Sequence, residues 1–318
     1  MDFALTFLTS LLLLATPVSP AVDLAAKADE AASRKESFVA ADNGARFLPA
    51  ELRFGAKLAS PEIAGEVEPA VAAIADFSEQ LKAAGAQLIV VPVPPRVLQE
   101  AAALGVPAEE QKKMQDGWQS ILSALAAKQV DVINLAPDFS SANENPYCVR
   151  DTHWSGHGID LAASKIVQRL QAAGISAQWP PAGVPAAAEV TITGDLGGDA
   201  EKVKLRAIPQ GPAAETASGP LLLLGDSHLF VFHRGGEFHT ADAGLPDQLR
   251  AATGATPEVI AVLGSGATSS RVALARRARA DEAFLGTKKI VVWVFAGREF
   301  TEADSWKKVP VLAAKKNS

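Results

Sequence analysis

A single cysteine, Cys148, in 318 residues leaves no partner for an intrachain disulfide and no multi-cysteine zinc site. It is compatible with export, since many exported proteins need no disulfide. Clustered positive charge is equally scarce: 30 Lys and Arg stand against 36 Asp and Glu, for a formal charge of −6. Neutralising phosphates takes clustered Lys and Arg, so a nucleic-acid partner is set aside. Short basic runs such as Arg276-Arg277 and Lys315-Lys316 read as solvated faces. The apolar run at residues 3–15 is too short to span a bilayer, which takes about 20 residues. Small residues follow at Ser19 and Ala21, as signal peptidase requires. Residues 1–21 are therefore expected to be a signal peptide that sends the protein to the periplasm. The start, Met1-Asp2-Phe3, lacks the usual Lys or Arg, which leaves open a buried helix or an uncleaved membrane anchor.

With 48% hydrophobic and 21% charged residues, the chain has the material for one large or two small globular domains. Residues 22–44 read as a spacer or a helical lead-in. From residue 66 helical patterns alternate with short apolar runs. Helices are expected over 66–84, 108–128, 158–173, 242–252 and 268–280, and strands over 87–91, 130–135, 221–224, 259–263 and 290–295. Continuous Val, Ile and Leu runs are the mark of strands covered on both faces. The expected fold is a three-layer α/β/α sandwich around a mainly parallel, doubly wound sheet. A Pro-, Ala- and Gly-rich stretch at about 175–219 is too long for a simple connection and reads as an insertion over one face or a loop.

Ligands of open parallel sheets sit beyond the carboxyl ends of the strands, so chemistry is sought in the turns that follow them. Leu221 to Leu224 runs into Gly225-Asp226-Ser227, a turn that can present a serine with free backbone N–H groups beside it. Gly, Asp and Ser are also ordinary turn residues. A second element adds weight: Asp151-Thr152-His153-Trp154, in which a carboxylate two residues before an imidazole can accept the Nδ1 proton and leave Nε2 for a nucleophile. Ser155 suits the N-cap of the helix that follows. Two further strand-end turns carry Gly264, Gly266 and Arg298.

Asp151-Thr152-His153-Trp154 with a later Gly225-Asp226-Ser227 resembles the SGNH hydrolase-like domain of the alginate O-acetyltransferase family, AlgJ/AlgX-like, in which Asp and His precede the serine. Residues 88–95, 193–198 and 291–300 are similar to the family as well. The resemblance implies a catalytic domain over 45–310 and a triad of Ser227, His153 and Asp151. It implies acetyl transfer to an exported polysaccharide, with acetyl groups supplied by a membrane-bound O-acyltransferase and no cofactor. His228 departs from the family pattern, which has an aromatic residue after the serine.

With a sugar hydroxyl as acceptor the chemistry is that of a transferase, and with water that of an acetyl esterase. Oxyanion donors are expected from the Ser227 N–H and an N–H near Gly264 to Gly266. Arg298 either binds substrate, braces the site or forms a surface ion pair. Trp154 either packs beside the loop or stacks on a sugar; His228, His233 and His239 lie after the serine, where any of them can touch substrate, though singly each reads as structural or exposed. Rival readings are a metal site of Asp151, His153 and His157, weakened because Ser155 starts a helix between the two histidines, and a glycan-binding scaffold without turnover.

Overall fold

Runs of Val, Ile and Leu build the centre of the molecule. The computed structural model describes residues 22–209, 219–264, 267–303 and 305–312, so the expected signal peptide lies outside the described residues. Five strands form one sheet: β1 (Gln87–Val93), β2 (Asp131–Val132), β3 (Leu221–Gly225), β4 (Glu258–Ala261) and β5 (Ile290–Ala296). Their order is β4-β3-β5-β1-β2, and every neighbouring pair is parallel.

Side chains along a strand alternate between faces, and here both faces are apolar. Leu88, Val90, Leu222, Leu224, Val291, Trp293 and Phe295 enter one core. Their neighbours Ile89, Val91, Leu221, Leu223, Val292 and Val294 enter the other. Helices Leu24–Ser33, Pro49–Leu58, Glu68–Ala83, Ala108–Ala127 and Thr268–Ala280 cover the first face. Gly156–Ala172 and Leu245–Thr253 cover the second. The fold is the expected doubly wound three-layer sandwich. Trp293, fully buried with Phe77 edge-on at 5.3 Å, anchors the first core; truncation to Ala there costs about 3–5 kcal/mol.

All five expected helices and all five strands are present; the helix Thr268–Ala280 has the expected bounds and the others have one or both ends shifted. The run at 130–135 pairs only over β2, because Asn134 turns the chain away: its Oδ1 accepts from Ala136 N (3.1 Å) and from Trp118 Nε1 (3.1 Å). Asp23 caps the lead-in helix through Ala26 N (3.0 Å). Within the Pro/Ala/Gly-rich stretch, Ala188–Ile192 and Glu201–Leu205 form an antiparallel hairpin, with Ile192, Val203 and Leu205 in the second core. No helix among the described residues is long and apolar enough to cross a membrane.

Candidate active site

The end of β3 is built for close approach. A Cβ on Gly225 would collide with the Val294 carbonyl of the neighbouring strand, so only glycine fits. Asp226 then caps the 3-10 turn Ser227–Leu229: Oδ1 accepts from His228 N (2.9 Å) and faces His228 Nδ1 (2.8 Å), while Oδ2 accepts from Ala296 N (2.8 Å). Burial pushes the Asp226 carboxyl up, but the His228 imidazole and these N–H groups outweigh it and hold it far below the usual range. With Asp226 tied to the end of β5, Ser227 stands at the carboxyl edge of the sheet. Its N–H makes no hydrogen bond among the described residues.

The partner loop is a short hairpin closed by an antiparallel bridge between Tyr147 and Trp154 and by Cys148 N donating to His153 O (3.1 Å). Ser155 Oγ caps the next helix at Gly158 N (3.3 Å) and donates to Asn145 O (2.7 Å). Both Glu201 oxygens accept from the backbone of Val149 and Arg150, at 2.7 and 2.8 Å. Buried Arg96 donates to the carbonyls of Arg46, Val149 and Asp151. Such a loop has little freedom to move. Burial raises the Cys148 thiol well above its ordinary value, which makes it a packing residue.

On this loop Asp151, only 1% exposed, meets four donors. His153 N (3.0 Å) and Nδ1 (2.6 Å) reach Oδ1, and Asp195 N (3.0 Å) and His239 Nε2 (2.9 Å) reach Oδ2. Burial alone would raise the carboxyl; the hydrogen bonds from His153 and His239, the His153 charge and the Asp195 N–H hold it far below the usual range. His153 Nε2 lies 2.8 Å from Ser227 Oγ. A carboxylate on Nδ1 fixes the tautomer that offers the Nε2 lone pair to the hydroxyl proton.

Other residues singled out in the sequence fall as follows. Trp154 is fully buried with its ring edge-on to His228 (5.3 Å), so it offers no face to a sugar, and the stacking expectation is corrected to packing. Arg298 lies past the end of β5 in a cleft shared with Arg46, Glu51, Arg96, Thr152 and His228, and its side chain has no hydrogen bond or ion pair among the described residues. Gly264 is exposed, with φ +76°, beyond β4 at the same sheet edge; Gly266 lies outside the described residues. His157 lies in the first turn of Gly156–Ala172, and the carboxylate that joins Asp151 and His153 in a cluster of possible metal ligands is Asp195 instead. Both Asp195 oxygens already serve Thr152, accepting from N (2.8 Å) and Oγ1 (2.6 Å).

Sequence reasoning passed over His239, Asp195 and the Asp226–His228 pair as parts of the site. One signal was available: Asp-x-His occurs twice, at 151–153 and 226–228, with the same pattern of ring and backbone nitrogen on one carboxylate oxygen.

Comparison with known proteins agrees with this architecture. The family described as the SGNH hydrolase-like domain of acetyltransferase AlgX matches residues 55–297. The O-acetyltransferase domain of Pseudomonas putida AlgJ superposes with a TM-score of 0.62 at 18% identity, over 84% of this chain and 93% of that one. Pseudomonas aeruginosa AlgX superposes with a TM-score of 0.54 at 19% identity, over 78% of this chain and 59% of that longer one. No curated protein sequence matches. At these identities the likeness to the solved structures is one of fold.

Proposed function

The chain belongs to the AlgX family of SGNH hydrolase-like acetyltransferase domains, and from that premise we propose that it is an O-acetyltransferase that modifies an exported polysaccharide through an acyl-Ser227 intermediate. The observation that carries this reading is the continuous relay from Asp151 Oδ1 to His153 Nδ1 (2.6 Å) and from His153 Nε2 to Ser227 Oγ (2.8 Å).

Ser227 Oγ attacks the carbonyl carbon of an acetyl donor while its proton passes to His153 Nε2. The oxyanion gathers at the Ser227 N–H, which makes no hydrogen bond among the described residues. Collapse expels the donor's leaving group, which takes the proton from His153 and leaves acetyl-Ser227. A sugar hydroxyl then gives its proton to His153 and attacks the ester carbonyl; the bond between the acetyl carbon and Ser227 Oγ breaks, Oγ recovers the proton from His153, and the acetyl group leaves on the sugar oxygen. Asp151 stays ionised and holds the imidazole in register throughout. Every step uses side chains already in place, and none calls for a cofactor.

Arg298 and Arg46 give the cleft positive charge, which suits an acidic glycan of the alginate type. The apolar run at 3–15 and the small residues at 19 and 21 favour a periplasmic setting, with a membrane-bound O-acyltransferase as acetyl supplier. The test is to incubate the purified protein with p-nitrophenyl acetate, seek acetyl-Ser227 by peptide mass spectrometry, and follow the acetyl group to oligosaccharide or to water. Transfer to sugar supports the proposal; release to water alone makes the protein an acetyl esterase; no labelling in a folded protein leaves a glycan-binding scaffold.

A further inference from the structure

Ser227 lies between two histidines that are supported in the same way. His228 Nδ1 faces Asp226 Oδ1 at 2.8 Å, as His153 Nδ1 faces Asp151 Oδ1 at 2.6 Å. A carboxylate on Nδ1 places the proton there, so His228 Nε2 keeps its lone pair and points away from Asp226. Burial holds the His228 imidazole below its ordinary range; Asp226 opposes that push, while His153 and Arg298 add to it. The ring is therefore neutral near pH 7 and accepts a hydrogen bond at Nε2. That atom has no hydrogen-bond partner among the described residues and is not sealed from solvent. His228 lines the cleft together with Asp151, Thr152 and Arg298, and its ring stands edge to face with His153 at 5.1 Å.

His228, next in the chain to Ser227 and edge to face with His153, thus keeps a second, unpartnered lone pair close to the relay. We infer that the Asp226–His228 pair is an acceptor-holding device: while His153 takes the proton of the attacking hydroxyl, His228 Nε2 accepts a hydrogen bond from the adjacent hydroxyl of the same sugar. The preferred acceptor is accordingly a pyranose with two neighbouring free hydroxyls. His228 gains and loses no proton; the bonds made and broken are those of the acyl-Ser227 reading, on which this inference rests. A ring needed only to pack on Trp154 would do as well as Phe.

The experiment uses the full chain, p-nitrophenyl acetate as donor, and a methyl pyranoside with a free 2,3-diol beside its 2-deoxy and 3-deoxy analogues. Acetyl-Ser227 is measured by mass spectrometry, and its partition between sugar and water by product analysis. The wild type is expected to favour the diol by roughly tenfold, the worth of one hydrogen bond near 1.5 kcal/mol. His228→Phe should reduce that preference to near unity, and His228→Gln, which can place an amide oxygen near the position of Nε2, should restore part of it. An unchanged diol preference in His228→Phe overturns the inference. A second measurement does not depend on turnover or on how the Phe variant folds: in Ser227→Ala, the ¹⁵N shift of His228 Nε2 should move with the diol and not with the deoxy analogues. No movement with the diol also overturns the inference. Absence of acetyl-Ser227 in the wild type overturns the acyl-serine reading instead, and the ¹⁵N measurement still decides this one.

Discussion

His239 Nε2 donates to Asp151 Oδ2 across 2.9 Å, on the far side of the carboxylate from His153. His239 sits at the start of the strand His239–Ala241, with φ +71°, and its ring packs against Phe232 at 5.4 Å. The contact fixes the second oxygen of Asp151, so that the first is aimed at His153. His239→Ala removes a hydrogen bond to a charged group, worth about 1.5–3 kcal/mol. Turnover of p-nitrophenyl acetate should fall roughly 10- to 100-fold on that scale. His239→Gln, which can still donate to the carboxylate, should lose less; equal losses in the two variants would deny His239 this role.

Replacing the relay itself has larger effects. Ser227→Ala or His153→Ala should abolish acetyl-Ser227 and lower ester turnover by several orders of magnitude, with thermal unfolding little changed. Asp151→Asn should cost on the order of 10⁴-fold, because an amide on Nδ1 permits the wrong tautomer. The double variant Ser227→Ala/His153→Ala should be scarcely worse than either single one, since the side chains act as a unit. Loss of activity to a chelator, with Ser227→Ala still active, would point to metal chemistry at Asp151, His153 and Asp195 instead.

Much of this site could be read in the sequence because it is local. Asp151 and His153 are two residues apart, and Ser227 follows a strand whose five residues are all buried. Two of the parts that were missed are non-local: Asp195 lies 44 residues from Asp151 and His239 lies 88; the local Asp226–His228 pair was hidden because Gly, Asp and Ser are ordinary turn residues. Asp195 comes from a stretch whose Pro, Ala and Gly content hides the hairpin that carries it. The Pro49–Leu58 helix was hidden by Gly55, a poor helix former; a Cβ there would crowd Val97 and Leu24. The strand runs could be read because both faces of a parallel sheet are buried, which leaves little room for polar residues.

Asp226 supplies a prediction about acid stability. Its carboxyl is held far below the ordinary value, so the stability it contributes is complete above the unfolded pKa, about 3.9, and is lost as pH falls towards the folded value. Asp226→Asn should therefore cost about 3 kcal/mol or more at pH 7, where a buried carboxylate is taken from its imidazole partner. The gap from wild type should persist to roughly pH 4 and narrow below it. Denaturant unfolding at pH 7, 5 and 3 measures this; a gap that widens on acidification would mean the wrong sign for the coupling.

Arg298 tests what the cleft holds. Residue 294 pairs with Gly225 in the register of β5 on β3, which sets Arg298 two residues farther along the sheet edge than Ser227. Glu51 and His228 both feel its charge. An arginine that is half-buried and unpaired among the described residues is available to a ligand in a way that a braced one is not. If it binds a sugar carboxylate, Arg298→Ala should raise KM for an acidic oligosaccharide by roughly tenfold, the scale of one charge-assisted contact. Acetylation of Ser227 by p-nitrophenyl acetate, which carries no carboxylate, should suffer far less. Salt should weaken binding in the wild type more than in the variant, because the lost contact is electrostatic. A bracing arginine predicts otherwise: kcat and thermal stability would fall together for both substrates, and the salt dependence of KM would not change.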